Sequence, residues 1–202
     1  MGLLARMTGS CKRRCFLGSS AFLLMLGVAA PAFAQAAPSG QAALAGPAAL
    51  SAALAQARNS DQAMQLELAI ESLRQQSVQP AVRLLWRRSQ RELVSDQRAA
   101  ALSDMNDALD LQPENAFLWR ERAAVRATAG DLDGAMGDLG VALSRDATDV
   151  LSWQALAEIE EGRSAWMEAY KAWQHVISLD PHLPDGQKRL DRLRRHALGQ
   201  PA

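Results

Sequence analysis

The chain has 202 residues with 22 cationic and 22 acidic side chains, and this length suits one modest domain. The charges are unevenly distributed, because four cations precede residue 35 and every acid follows residue 60. Residues 35–202 therefore have 18 cations against 22 acids, which argues against a nucleic-acid partner, since phosphate binding needs a basic surface. Both cysteines, Cys11 and Cys15, lie near the N terminus, which excludes disulfides, cysteine zinc sites and cysteine nucleophiles from the rest of the chain.

Residues 1–34 have the pattern of an export signal. The basic stretch Lys12-Arg13-Arg14 precedes an uncharged run, Cys15 to Ala34, whose centre is apolar. Ala32 and Ala34 are the small residues that a signal peptidase requires, so we expect cleavage after Ala34 and a periplasmic or secreted protein. The alternative is an uncleaved membrane anchor, although glycine, serine and proline residues interrupt the apolar run.

The sequence indicates the route of export less clearly than the export signal itself. Arg13 and Arg14, followed by Phe16 and Leu17, resemble the twin-arginine motif. Lys12 stands where that motif favours serine or threonine, and nothing in the remaining sequence indicates a cofactor that must be inserted before export. We therefore expect the general secretory (Sec) route rather than the twin-arginine route.

The next two segments differ in composition. Residues 35–60 are rich in alanine, glycine and proline and are predicted to form a disordered linker, in which residues 48–57 have helical propensity but nothing to pack on. Residues 61–81 follow the capping residues Asn59 and Ser60 and place apolar side chains on one helical face. This second segment is predicted to be an N-terminal capping helix that supports the elements after it.

A self-similarity with a period of about 34 residues extends over residues 82–183. The pattern includes alanine at Ala101, Ala135 and Ala169, a large apolar residue at Met105, Leu139 and Trp173, tryptophan at Trp119 and Trp153, and proline at Pro113 and Pro181. These residue types at this interval resemble the tetratricopeptide repeat (TPR), a pair of antiparallel helices. The resemblance implies an all-α solenoid with three repeats, at residues 82–115, 116–149 and 150–183.

The repeats differ from one another in detail. Gly130-Asp131 predicts a left-handed helix end between the two helices of the second repeat. Asp96 and Ser164 occupy the corresponding positions in the other repeats, so those turns follow less directly from the sequence. The first repeat also has Arg88 and Glu92 where the family usually buries apolar side chains, so its first helix is predicted to be the least well packed.

Residues 184–202 are predicted to form a C-terminal capping helix and a short tail. Leu190, Leu193 and Ala197 lie on one helical face, and most of the basic side chains lie on the other. Such a helix would cover the apolar end of a solenoid with a polar outer surface.

The sequence contains no recognisable catalytic or metal-binding motif. The spacing of His175, His182 and His196 along the chain does not match a zinc motif. The acidic run Glu158–Glu161 is typical of a solvated helix face, and no phosphate-binding loop or nucleophile motif is present. We therefore expect no metal, no cofactor and no enzymatic activity.

The TPR resemblance implies a concave groove that binds a peptide along the first helix of each repeat. The lysine and asparagine clamp known from this family is not carried over, because Trp86 with Gln90 and Arg120 with Ala124 occupy its places. Arginines at one end of the groove and glutamates at the other predict a charge gradient that favours an acidic or mixed-charge segment at the arginine end. The predicted groove residues are Arg83, Trp86, Arg87, Gln90, Phe117, Arg120, Ala124, Gln154 and Glu158.

Together these patterns predict an exported bacterial adaptor that binds an unknown protein or peptide and performs no catalysis. The alternative is an inner-membrane assembly factor whose uncleaved signal anchors periplasmic repeats. Contact with a membrane is expected only in that second case.

Overall fold

The computed structural model describes residues 46–199, which form nine α-helices and no strand. Successive helices are joined by short connections of three to six residues. The helix bounds are α1 (Pro47–Leu54), α2 (Ser60–Gln76), α3 (Pro80–Val94), α4 (Arg98–Leu111), α5 (Ala116–Thr128), α6 (Leu132–Arg145), α7 (Val150–Gly162), α8 (Trp166–Leu179) and α9 (Gly186–Leu198).

Helices α3 to α8 form three stacked helix pairs. Each of α3, α5 and α7 packs mainly on the helix that follows it, and α4 with α5 and α6 with α7 join one pair to the next. The second helices begin at Arg98, Leu132 and Trp166, which are separated by the same interval as the repeated residues of the sequence. The predicted all-α solenoid is therefore confirmed.

The repeated residues have equivalent surroundings. Ala101, Ala135 and Ala169 are all completely buried, which lets the paired helices approach closely. The indole N–H of Trp119 donates to the carbonyl oxygen of Pro113 at 2.6 Å, and that of Trp153 donates to the carbonyl oxygen of Ala147 at 3.0 Å. The same hydrogen bond thus ties the first helix of two successive repeats to the connection before it.

All three turns inside the repeats use left-handed backbone. Gly130 has φ +86°, as its sequence predicts, and Asp96 and Ser164 adopt φ +58° and +60° at the corresponding positions. The repeat geometry therefore imposes this conformation on non-glycine residues, although left-handed backbone is sterically unfavourable for them.

The first repeat is held by an ion pair that the sequence interpretation missed. Arg88 of α3 donates both a Nε and a Nη2 hydrogen bond to Asp104 of α4, whose side chain is buried. Arg122 and Asp138 form the same pair one repeat later, at 2.8 and 2.7 Å. The charge of Arg88 thus has a buried partner, and α3, which buries Val82 and Ser89, still buries fewer side chains than α5 or α7, as the sequence predicts.

Helix α1 lies within the segment predicted to be a disordered linker. Leu50 and Leu54 are 4% and 1% exposed and join an apolar cluster with Val150, Trp173 and Val176. The expected linker is therefore replaced by helix from Pro47 to Leu54, because α1 packs on α2 and α8. The remainder of the expected linker before residue 46 lies outside the described residues.

Helix α2 does not support the first repeat in the expected way. Its start agrees with the sequence, since the Asn59 side chain accepts a hydrogen bond from the Gln62 amide at 2.9 Å. Its buried side chains, Ala63 and Ile70, instead join the apolar cluster of α1, the third repeat and α9. The prediction of an N-terminal cap on repeat one is corrected: α2 runs beside the connections between repeats.

Helix α9 follows the third repeat and packs on α8. Leu193 is completely buried, and the indole of Trp173 donates to the carbonyl oxygen of Gly186 at 2.8 Å. Of residues 46–199, no helix combines the length and the apolar character needed to cross a bilayer. The predicted signal at residues 1–34 lies outside the described part of the chain.

Candidate peptide-binding groove

A groove of about 550 Å³ lies between α5 and α7, the first helices of the second and third repeats. Its walls are mostly small or apolar, and Glu121 and Glu158 are the acidic residues that line it. Three of the predicted site residues, Arg120, Ala124 and Glu158, are in this lining. The further apolar lining residues are Ala123, Ala127, Leu132, Leu139, Leu151, Ala155 and Ile159.

Glu121 joins this groove to α3. Its Oε2 accepts hydrogen bonds from the Trp86 indole at 2.7 Å and from Gln90 Nε2 at 3.1 Å. Trp86 also meets the ring of Phe117 edge-on, with centroids 4.9 Å apart. Burial raises the pKa of Glu121, although Arg120 and the hydrogen bond from Trp86 act in the opposite direction. The predicted residues Trp86, Gln90 and Phe117 are thus brought together around a carboxyl group that the sequence interpretation missed.

Arg120 is part of a buried ion network instead of a charge on the groove rim. Only 7% of the residue is exposed. Its Nη1 donates to both oxygens of Asp149 at 3.0 Å, and its Nη2 donates to Glu71 of α2 at 2.6 Å. Burial alone would lower the pKa of Arg120, but the charges of Asp149, Glu121 and Glu71 raise it above its ordinary value. The expectation that Arg120 contributes a free charge to the arginine end of the groove is corrected, because the carboxylates of this chain already bind its guanidinium group.

The remaining predicted residues have different environments. Arg83 is half-buried and donates to the carbonyl oxygens of Val78 at 2.8 Å and Gln76 at 3.3 Å, so it secures the connection between α2 and α3. Arg87 is exposed, and Gln154 is half-buried on α7. These three residues are not in the lining of the groove between α5 and α7.

Two acidic residues complete the site but are absent from the sequence prediction. Glu121 could have been found, because Phe117, Glu121 and Ala124 follow the four- and three-residue spacing of one helical face. Glu71 offered no such signal, since its partner Arg120 is 49 residues away along the chain.

The three histidines contact aromatic rings or a backbone carbonyl oxygen. His175 stacks on Trp153 with centroids 4.1 Å apart, and His196 stacks on Trp166 at 4.4 Å. His182 Nε2 lies 2.7 Å from the carbonyl oxygen of Ala57. Within residues 46–199, no three histidine, cysteine, aspartate or glutamate side chains are grouped as metal ligands.

Comparison with known proteins identifies the fold. No protein-family model and no curated protein matches the sequence. The first TPR of Spaghetti (RPAP3), bound to the HSP90 peptide SRMEEVD, superposes with a TM-score of 0.52 at 16% identity over 56% of this chain and 90% of that chain. The Arabidopsis OM64 TPR domain has a TM-score of 0.52 at 22% identity over 57% of this chain and 96% of that chain.

The TPR2AB domain of yeast Sti1, in a complex with pHSP90, gives a TM-score of 0.51 at 18% identity, over 75% of this chain and 61% of that chain. At these identities the likeness concerns the fold. The structure is accordingly a solenoid of the tetratricopeptide type.

Proposed function

We propose that this protein is an interaction adaptor that binds a short segment of another protein in the groove between α5 and α7. The observation that carries this proposal is the groove itself, an opening of about 550 Å³ with small apolar walls on the first helices of two repeats. Small side chains such as Ala124, Ala127 and Ala155 leave room for the side chains of a bound segment. The structurally similar TPR domain of Spaghetti (RPAP3) is bound to a peptide, which supports peptide binding as the function of this solenoid.

The residues of the groove favour an apolar segment with at least one lysine or arginine. Glu158 is exposed at the groove, whereas the charge of Arg120 is neutralised by Glu71 and Asp149. A cation on the ligand would therefore meet an acidic wall, and its attraction to Glu158 would mainly set the rate and orientation of docking. This chemistry replaces the acidic ligand that the sequence predicts.

We propose binding without a chemical step. The two glutamates of the groove differ in their surroundings, because Glu121 is held by Trp86 and Gln90, whereas Glu158 is exposed. Acid–base chemistry requires groups positioned against a reacting atom, and these two carboxyl groups instead shape and charge a binding surface.

We further propose that the adaptor acts after export, with the signal cleaved behind Ala34. The basic stretch Lys12-Arg13-Arg14, the apolar run and the small residues Ala32 and Ala34 support this location. An anchored assembly factor with its repeats in the periplasm is the competing proposal. Sequencing the N terminus of the protein from its native host decides between them: a chain that starts at Gln35 supports the cleaved adaptor, and an intact Met1 region supports the anchor.

The groove is tested with two libraries of synthetic peptides of about 12 residues, a length that spans several helical turns of groove. Both libraries contain leucine, valine and alanine, and one adds lysine and arginine whereas the other adds aspartate and glutamate. We expect the full chain to retain the basic library, to release it at high salt and to ignore the acidic one. Equal retention of both libraries would contradict the proposed ligand chemistry.

Two pairs of variants locate the binding site. Ala124→Trp fills the groove, whereas Ala99→Trp places the same bulk at an exposed position of α4. Glu158→Lys reverses the acidic wall, whereas Glu168→Lys reverses an exposed charge on α8. We expect the first member of each pair to weaken binding at least roughly tenfold and the second to leave it unchanged, as measured by fluorescence anisotropy. If Ala124→Trp binds like the wild type, the ligand does not occupy this groove.

A further inference from the structure

Helix α2 and the loops at its ends cross both connections between successive helix pairs and the connection from the last pair to α9. The side chain of Asn115, before α5, donates to the Ser77 hydroxyl at 2.9 Å. Arg74 donates to Asp146, before α7, at 2.9 Å. The carboxyl group of Glu67 lies against that of Asp180, before α9, and the carbonyl oxygen of Ala57 lies 2.7 Å from His182 Nε2. The position of α2 therefore depends on a row of polar contacts as well as on Ala63 and Ile70.

These polar contacts are of two chemical kinds. Glu71 with Arg120, and Arg74 with Asp146 and Asp149, join opposite charges, which are stable together at neutral pH. Glu67 and Asp180 instead bring two carboxyl groups together. Such a pair is stable only while it holds a proton, because two neighbouring carboxylates repel each other.

Asp180 is in a position where this repulsion cannot be relieved by solvent. It is 1% exposed, and its Oδ1 accepts a hydrogen bond from the backbone amide of His182 at 3.0 Å. Its Oδ2 is buried and has no hydrogen-bond donor among the residues that the structure describes. A protonated Glu67 carboxyl group on α2 would supply such a donor.

The other charged and titratable groups around Glu67 are engaged elsewhere. On α2, Glu71 binds Arg120 and Arg74 binds the aspartates before α7. On the connection before α9, the ring of His182 contacts the carbonyl oxygen of Ala57. Burial, followed by the hydrogen bond and the charge of Asp180, raises the pKa of Glu67 from 4.5 to about 7.

We propose that Glu67 and Asp180 form a proton-dependent latch, which fastens α2 to the repeats while the pair shares a proton and loosens α2 when both carboxyl groups are ionised. Loosening uncovers residues at the start of α5 and α7, since Glu71 of α2 binds Arg120 and Val150 packs in the same apolar cluster as Ile70. Leu151 lines both the binding groove and a smaller cavity beside Met64 and Leu68 of α2, so the two spaces would merge. The latch would thereby regulate the length of the groove. This regulatory role rests on the proposed function, whereas the pH-dependent docking of α2 is independent of it.

The direction of the pH effect follows from the two pKa values of Glu67. Burial and the neighbouring Asp180 raise the pKa of Glu67 from its ordinary 4.5 to about 7 when α2 is docked, so docking is favoured most at low pH. This contribution falls as the pH rises and is lost once the pH passes the docked value. For a single proton, the equilibrium constant for opening rises roughly tenfold per pH unit within that window and then stays constant.

The latch is tested without any ligand by hydrogen exchange of the α2 backbone amides in the full chain, between about pH 5 and pH 8 and corrected for intrinsic exchange rates. In the wild type we expect protection to fall by up to about tenfold per pH unit towards pH 7 and to level off above it. Glu67→Gln and, separately, Asp180→Asn should keep α2 protected across the range. Glu168→Gln removes an exposed carboxyl group on α8 and should leave the fall unchanged.

Three outcomes would overturn the proposal. In the first, the hydrogen-exchange protection of α2 in the wild type does not change with pH. In the second, the Glu67→Gln variant keeps the pH-dependent fall in protection. In the third, this fall disappears only in His182→Gln, which would assign the proton to the histidine. If one carboxyl variant fails to fold, as judged by circular dichroism, the other still decides the result. Failure of peptide binding in the groove would leave this measurement unaffected.

Discussion

Three residues with left-handed backbone show how the geometry of the repeat determines the conformation of single residues. Gly130 adopts φ +86° without steric cost, whereas Asp96 and Ser164 adopt the same region with a Cβ atom. A Cβ at Gly130 would meet nothing within 4 Å, so backbone strain is the whole cost of substitution there. Glycine at this turn therefore stabilises the protein through its conformation and not through packing.

Replacing this glycine and a helical one should change stability in opposite directions. Gly130→Ala is expected to lower the free energy of unfolding by about 1 kcal/mol, because alanine is strained at positive φ. Gly137→Ala lies inside α6, also with open space around its new Cβ, and should raise that free energy by about 1 kcal/mol through helix propensity. Urea unfolding measures both values, and a shift of the same sign in the two variants would contradict this account.

Charged residues that the sequence predicts for the binding site also show why residue type alone is an incomplete guide. Arg87 and Arg120 are both arginines on first helices, yet Arg87 is exposed whereas Arg120 is 7% exposed and bound by carboxylates. The predicted charge gradient treated the two as equivalent. Their difference arises from Glu71 and Asp149, which reach Arg120 from another helix and another connection.

Among the helix pairs, the first and second repeats share an ion pair that the third lacks. Arg88 with Asp104 and Arg122 with Asp138 link the two helices of their repeats. At the same interval the third repeat has Leu156 and Ala172, which pack in its apolar cluster. The helix-pair geometry thus accepts either an ion pair or an apolar contact at one position. We expect a mixture of the two to be unfavourable, because it would leave a buried charge without its partner.

Substitution of the first-repeat pair tests this interchange. Arg88→Leu alone leaves the buried Asp104 carboxylate without that cation, so it should lower the urea midpoint clearly. Adding Asp104→Ala recreates the residues of the third repeat and should recover most of the loss. A double-mutant cycle measures the coupling, and a double variant less stable than Arg88→Leu would show that the two solutions are not interchangeable.

In the molecule as a whole, α9 covers the end of the helix stack. A solenoid buries its apolar surface only between neighbours, so its last repeat needs a helix with a polar outer face. Leu193 on α9 is completely buried, whereas Leu198 near the end of the same helix is 61% exposed. The basic side chains Arg189 and Arg192 also bind Glu161 of α7 at 2.6 and 3.0 Å and lower the pKa of Glu161, although burial opposes that shift.

The two leucines of α9 provide a matched test of this end cover. Leu193→Ala should lower the free energy of unfolding by about 3 kcal/mol, because it leaves a cavity beneath the last helix. Leu198→Ala removes the same atoms from an exposed position and should change stability by less than about 0.5 kcal/mol. Urea unfolding measures both, and an equal loss in the two variants would mean that α9 does not protect the stack.

The repeats could be predicted from the amino-acid sequence. The recurrence of Ala101, Ala135 and Ala169 at a constant interval specifies which helices pair, because neighbouring helices in a solenoid contact one another at constant intervals along the chain. The groove helices, the Gly130 turn and the N-terminal cap of α2 followed from equally local rules. Arg88 with Asp104 was also readable, since Arg122 and Asp138 repeat the pair.

Only the folded structure shows where α1 and α2 lie. It also shows which charges of the site are free to meet a ligand. Glu71 meets Arg120 across 49 residues, Arg74 meets Asp146 across 72 and Ala57 meets His182 across 125. No periodicity relates such partners, because each contact depends on how a non-repeated segment folds back over the finished solenoid. For the same reason the sequence predicted a peptide groove but misjudged its charge.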